Sequence, residues 1–104
     1  MIIINGVRWR VRLVPPSHPF LLTRKKTLAL GCCDNQTKTI CISNALSMEM
    51  IKKDICHEIV HAVMYSYHVD LSHREEEMVA DLISSYGDEI MRLTHLTYDK
   101  LKFM

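Results

Sequence analysis

No stretch of this 104-residue chain approaches the run of roughly 18 apolar residues that a membrane-spanning helix requires. A bilayer span is therefore not expected. The opening Met-Ile-Ile-Ile-Asn-Gly lacks both a cationic segment and a small-residue cleavage site, so no secretory signal is read and an intracellular, cytoplasmic setting is the expectation. The cysteines lack metal or disulfide spacing: Cys32, Cys33, Cys41 and Cys56 contain no C-x-x-C pair. That argues against a cysteine zinc site and a disulfide framework, and leaves buried thiols. Repeats and low-complexity tracts are absent, and the length leaves no room for a second core, so residues 1–104 read as one domain.

The chain also lacks a large net charge, but the formal +1 conceals an asymmetry. Residues 1–56 carry nine Lys/Arg against three Asp/Glu, whereas residues 57–104 carry four against nine. A basic half can attract nucleic acid, yet no basic motif interleaved with aromatics accompanies it, so nucleic acid is not expected as a partner.

The first half reads as strands. Ile2–Ile4, Asn5-Gly6 and Val7–Val14 form a hairpin signal, because Asn-Gly suits a type I′ turn. In the second arm Val7, Trp9, Val11 and Leu13 alternate with Arg8, Arg10 and Arg12, which puts the apolar set on one face, turned inward. Pro15-Pro16-Ser17-His18-Pro19 can only be a connection. Thr27–Cys33 and Lys38–Ser43 flank Asp34-Asn35-Gln36-Thr37 as a second hairpin.

The second half reads as helices. Ser43, Asn44 and Ser47 are candidate N-caps for a helix from about Met48 to about Tyr67, with Ile51, Ile55, Ile59 and Ala62 or Val63 on its core stripe. The apolar run Ile55–Tyr65 predicts burial nearly all round. Ser72-His73-Arg74-Glu75 matches a capping box, which occupies Glu75. Met78, Val79, Leu82, Ile83 and Tyr86 then share one helical arc, with Gly87 a break before a further helix over Asp88–Lys102. Strands followed by helices predict an α+β fold, a small antiparallel or mixed sheet packed on these helices.

Within the central helix stands His57-Glu58-Ile59-Val60-His61, the His-Glu-x-x-His zinc signature. Positions four apart project from one helix face, so both imidazoles can reach one Zn²⁺, and Glu58 stands beside the ion's open position as a general base. Ionisable groups in so apolar a run need partners, which opposes a merely structural reading.

Catalytic zinc sites use three protein ligands, and Glu75, Glu76, Glu77 and His73 are candidates for the third. Glu77 is preferred because Asp81, four residues on, can accept the other ring N–H of a ligating histidine. An acidic first turn facing the helix dipole would explain the three glutamates equally well.

At this point the chain resembles a known group of enzymes. His57-Glu58-x-x-His61 followed by Glu77-x-x-x-Asp81 is similar to the gluzincin pattern of thermolysin-type metallopeptidases, at a length close to the minimal members. Glu77-Met78-Val79-Ala80 resembles the Glu-x-x-Ala stretch of the ImmA/IrrE-type metallopeptidases, many of them phage encoded. The resemblance, over roughly residues 38–87, implies a zincin-like fold, His57, His61 and Glu77 as ligands, Glu58 as base and Asp81 behind the ligands. It also implies that the strand near Lys38–Ser43 pairs with an extended peptide or protein substrate. The chain departs from larger gluzincins in lacking the C-terminal subdomain that brings an oxyanion-stabilising His or Tyr. Tyr65, Tyr67, His68, His73 and Tyr86 are substitutes among which sequence does not choose.

Two functions follow as expectations: a zinc peptidase, or a zinc-stabilised interaction module that docks a protein or nucleic-acid partner through its basic N-terminal face. Replacing Arg8, Arg10 and Arg12 together by Gln is expected to leave the urea unfolding midpoint nearly unchanged and any nucleic-acid affinity weak and salt-sensitive. Tight sequence-selective binding that persists at raised salt would defeat this reading.

Overall fold

The computed structural model describes residues 1–23 and 27–103. Strands β1 (Ile2–Ile4) and β2 (Val7–Val14), a 3-10 turn at Pro19–Leu21, strands β3 (Gly31–Asp34) and β4 (Thr39–Ser43), and helices α1 (Met48–Ser66) and α2 (His73–Leu101) follow in order. The fold is α+β, with one four-stranded mixed sheet ordered β1-β2-β4-β3. β2 pairs parallel with β4, and the two outer pairings are antiparallel.

The Asn-Gly turn forms as its sequence dictates. Asn5 and Gly6 both take left-handed φ values, 49° and 76°, and Ile4 pairs with Val7 across it. The hairpin is then fixed to the far end of α1: Asn5 Nδ2 donates to the Ser66 carbonyl at 2.9 Å, and Trp9 Nε1 donates to Ser66 Oγ at 2.8 Å. Trp9 is fully buried with Ile40, Ile42 and Ala62, and Ile51, Ile55 and Ile59 of α1 pack against this cluster. Ala62, not Val63, completes the helix stripe.

β4 is buried along its whole length because both of its faces are covered. Ile40 and Ile42 face α1, whereas Cys41 packs on the other side with Val14, Leu21 and Cys32. The connection after Pro15-Pro16 therefore supplies a second layer. This explains why the inward alternation of β2 fails at its end, where Leu13 is exposed and Val14 buried.

Several expectations need correction. The strand expected over Thr27–Cys33 is confined to Gly31–Asp34, and Leu28 makes only an isolated bridge with Leu22. α1 is not buried all round: Ile55, Cys56 and Ile59 are half-buried, and Val63 and Tyr65 are exposed, because only the sheet and α2 cover it. Gly87 does not break a helix, since α2 runs through it for 29 residues. One interior glycine costs about 1 kcal/mol, too little to interrupt so long a helix. Of the expected arc, Val79 packs with Val60, Met64 and Ala80 and Ile83 borders α1 beside Lys52 and Cys56, whereas Met78, Leu82 and Tyr86 are exposed and turned away from the core.

α1 ends without glycine. His68 takes the left-handed conformation at φ 54°, and Val69 N–H reaches the Met64 carbonyl at 2.9 Å, closing a Schellman turn. α2 starts at the expected capping box: Ser72 Oγ accepts from Glu75 N–H, and the Glu75 carboxylate accepts from Ser72 N–H. Among the described residues, no helix is long and apolar enough to cross a membrane.

Because Ser66 Oγ satisfies a fully buried indole N–H, Ser66→Ala is expected to destabilise the fold by about 1–3 kcal/mol in urea denaturation. A loss below about 0.5 kcal/mol would show that the indole finds another acceptor.

Candidate metal centre

α1 and α2 pack side by side in antiparallel sense, so the middle of α1 faces the first two turns of α2. His57 and His61, one turn apart on α1, turn toward that seam. Their Nε2 atoms lie 3.3 Å apart. Glu77 reaches between them, with Oε1 2.8 Å from His61 Nε2 and Oε2 3.4 Å from His57 Nε2. His57, His61 and Glu77 thus form a group that could hold a metal ion, with ligand atoms all within 4.8 Å of one another.

The opposite ring nitrogens are each engaged by a carboxylate. His57 Nδ1 lies 3.1 Å from Asp81 Oδ1, and His61 Nδ1 lies 2.6 Å from Glu76 Oε1. A neutral imidazole that donates through Nδ1 carries a bare lone pair on Nε2. Two such lone pairs and a carboxylate then converge, an arrangement of acceptors that repel unless a cation lies among them. Ligand bonds of about 2.0–2.1 Å in tetrahedral geometry place ligand atoms about 3.3 Å apart, which fits the 3.3 and 3.4 Å contacts of His57 Nε2, whereas the 2.8 Å from His61 Nε2 to Glu77 Oε1 is the length of a hydrogen bond. The donor set suits a metal ion.

The three successive glutamates have three different tasks. Glu75 closes the capping box, Glu76 orients His61, and Glu77 faces both Nε2 atoms. Successive residues diverge by about 100° around a helix, so one patch of acidic sequence serves three directions. The role of Glu76 was not read from the sequence; its signal lay in the spacing, one residue before Glu77 and five before Asp81. The sequence also did not mark Gly31. A Cβ there would meet Glu58 Cγ at 3.2 Å and Ile42 Cδ1 at 3.1 Å, so the absence of a side chain lets β3 lie directly against Glu58.

Glu58 is buried, only 8% exposed, and lines two small pockets on either side of the histidines. One, of about 300 Å³, is walled by Gly31, Asp54, His57 and Asp81; the other, of about 360 Å³, by Cys33, His61, Tyr65, His73 and Glu76. Burial pushes the Glu58 carboxyl above its usual range, opposed by the imidazoles of His57 and His61 and reinforced by Glu77 and Asp54. No protein-family model, curated protein or solved structure matches the chain. The site must be interpreted from its own geometry.

Of the five possible oxyanion donors, Tyr65 and His73 line the cleft. Tyr86 lines a separate groove with Met78 and Leu82, and neither Tyr67 nor His68 lines either pocket beside Glu58. Tyr65 is held by stacking on Trp9, with ring centroids 6.3 Å apart. The expectation that the strand near Lys38–Ser43 receives an extended segment is corrected: β4 lies between β2 and β3, and both its edges are occupied. The edge beside Glu58 belongs to β3, which has no outer strand neighbour among the described residues.

The protein is expected to hold about one metal ion per chain by elemental analysis and to melt at lower temperature after chelation, since binding to the native state adds to its stability. Glu77→Gln should weaken metal binding most, Glu76→Gln by about 10–100-fold through loss of His61 orientation, and Glu75→Gln hardly at all. Equal effects at all three positions would remove the distinction between ligand, support and cap.

Proposed function

We propose that the chain is a zinc-dependent peptidase of zincin-like fold, with His57, His61 and Glu77 as zinc ligands. The observation that carries this reading is the convergence of three ligand atoms beside a buried carboxylate that is not itself engaged by either histidine. A purely structural site would have no use for Glu58 at that position. When bound, zinc would supply Lewis acidity to a peptide carbonyl and to the attacking water.

The remaining work falls to side chains of this chain. Asp81 and Glu76 hold the two imidazoles in the tautomer that keeps Nε2 free. Glu58 takes a proton from the attacking water and returns it to the amine as the C–N bond breaks, leaving one new carboxyl and one new amino terminus. Tyr65 and His73 line the same pocket as Glu58 and are the candidates to donate to a developing oxyanion. A peptide or protein substrate would lie extended along β3, adding a strand to the free edge that Gly31 brings against Glu58.

Glu58→Gln preserves volume and removes the capacity to carry the proton. The variant is expected to retain near-wild-type zinc content and melting temperature while cleaving a peptide substrate at least about 10²-fold more slowly. Loss of zinc would make Glu58 a ligand or a structural support. Equal performance of wild type and variant in every functional assay would mean that the domain acts by binding and not by hydrolysis.

A further inference from the structure

α2 is amphipathic in a sense opposite to that of an ordinary core helix. It turns Glu77, Asp81, Ser84 and Asp88 toward α1, where the first two approach the histidines and Asp88 pairs with Lys52 at 3.5 Å. Among its described residues only Ala80 is buried. The opposite side carries Met78, Leu82, Tyr86, Ile90, Leu93 and Leu101, all exposed. At about 100° per residue these positions fall within an arc of about 140° that runs the whole length of the helix. Ile90 and Leu93, near its middle, are 49% and 48% exposed. Past Met91 the helix extends beyond the start of α1, and the groove on that stretch is walled by α2 alone.

The surface of the whole chain shows the same deficit. It exposes 7885 Å² at 12.1 kDa, where a compact monomer of that mass exposes about 6,000 Å². Its radius of gyration is 15.7 Å, against about 13 Å for a compact chain of this length. The excess of about 1,900 Å² exceeds the roughly 800 Å² that each partner contributes to a standard interface.

Charge selects the occupant and its direction. Glu75, whose carboxylate also accepts from Ser72 N–H, stands at the start of the stripe and Lys100 near its end, both on the apolar side by helical phase. We propose that this stripe is a self-association surface, on which two copies of the chain pack α2 antiparallel about a twofold axis. Lys100 then meets Glu75 of the partner subunit, and Leu82 meets Leu93 of the partner subunit. A parallel pair would oppose like charges at both ends. The isologous arrangement uses one patch twice and closes at two copies. His57, His61 and Glu77 lie in the seam between α1 and α2, away from the stripe, and are left as they are in the dimer, so the inference does not rest on the peptidase reading.

Sedimentation equilibrium of the full chain over about 1–200 µM tests this, with metal content measured on the same samples. Wild type is expected at twice the chain mass. The double variant Ile90→Glu with Leu93→Glu is expected at the single-chain mass, with far-UV circular dichroism retained, metal content unchanged and Kd raised at least about 100-fold. If that variant loses helicity, Lys100→Glu reads the same contact without altering the apolar stripe: Kd should rise about tenfold and recover when Glu75→Lys is added. A wild type that stays monomeric throughout overturns the proposal, whether or not it binds lipid vesicles or another protein. A dimer whose Kd responds to neither set of changes overturns it as well.

Discussion

Two imidazoles and a carboxylate that share one small volume need something positive among them, a proton or a metal ion, and that constraint organises both helices. Asp81 and Glu76 face the Nδ1 atoms of His57 and His61, an arrangement that favours the tautomer with its lone pair on Nε2, and Glu77 adds a carboxylate to the same space. All three carboxylates come from α2, so that helix must show its acidic side to α1. The apolar support for the seam is correspondingly small: Val60, Met64 and Ala80, with Leu71 and Val79 packed against them. The pairing of α1 with α2 therefore draws on ion pairs and hydrogen bonds between the two helices as well as on apolar contact, and His57, His61 and Glu77 lie in that seam as a group that could hold a metal ion.

The sheet serves this seam from behind. Its buried central strand and the Trp9 cluster hold α1 by its inner stripe, and the hairpin holds the helix end through Ser66. What the sheet contributes to chemistry is the position of Glu58. Gly31 is the point of contact: a side chain there would displace either the β3 edge or the carboxylate. Fold and site meet at a residue that carries no functional group.

Much of this was legible in the sequence where one physical signal dominated. Asn5-Gly6, the Ser72–Glu75 capping box and the His57–His61 spacing each depend on a few neighbouring residues, and each forms as read. The pairing of Asp81 with His57 was legible for the same reason, since helical phase fixes Glu77 and Asp81 together. The parallel β2–β4 pairing was not, because no local pattern records which strands become neighbours. Nor was the outward arc of Met78, Leu82 and Tyr86. Periodicity locates an apolar face but not what covers it, and here the polar face was claimed first by the histidines. Gly87 misled because a glycine's helix penalty is small beside the cooperativity of a long helix.

The topology also separates two kinds of contact by their distance along the chain. Val14 must find Ser43 across a long connection to begin the parallel pairing, whereas Glu77 lies only 20 positions beyond His57 on adjoining helices. Loop closure favours the shorter encounter, and non-local strand pairing is the slower class of contact. The helix pair that carries the candidate metal group is thus the more local of the two assemblies. Glu58 acquires its wall only when Gly31 arrives, so the group His57, His61 and Glu77 is furnished by the two helices alone, whereas the pocket beside Glu58 needs the sheet as well.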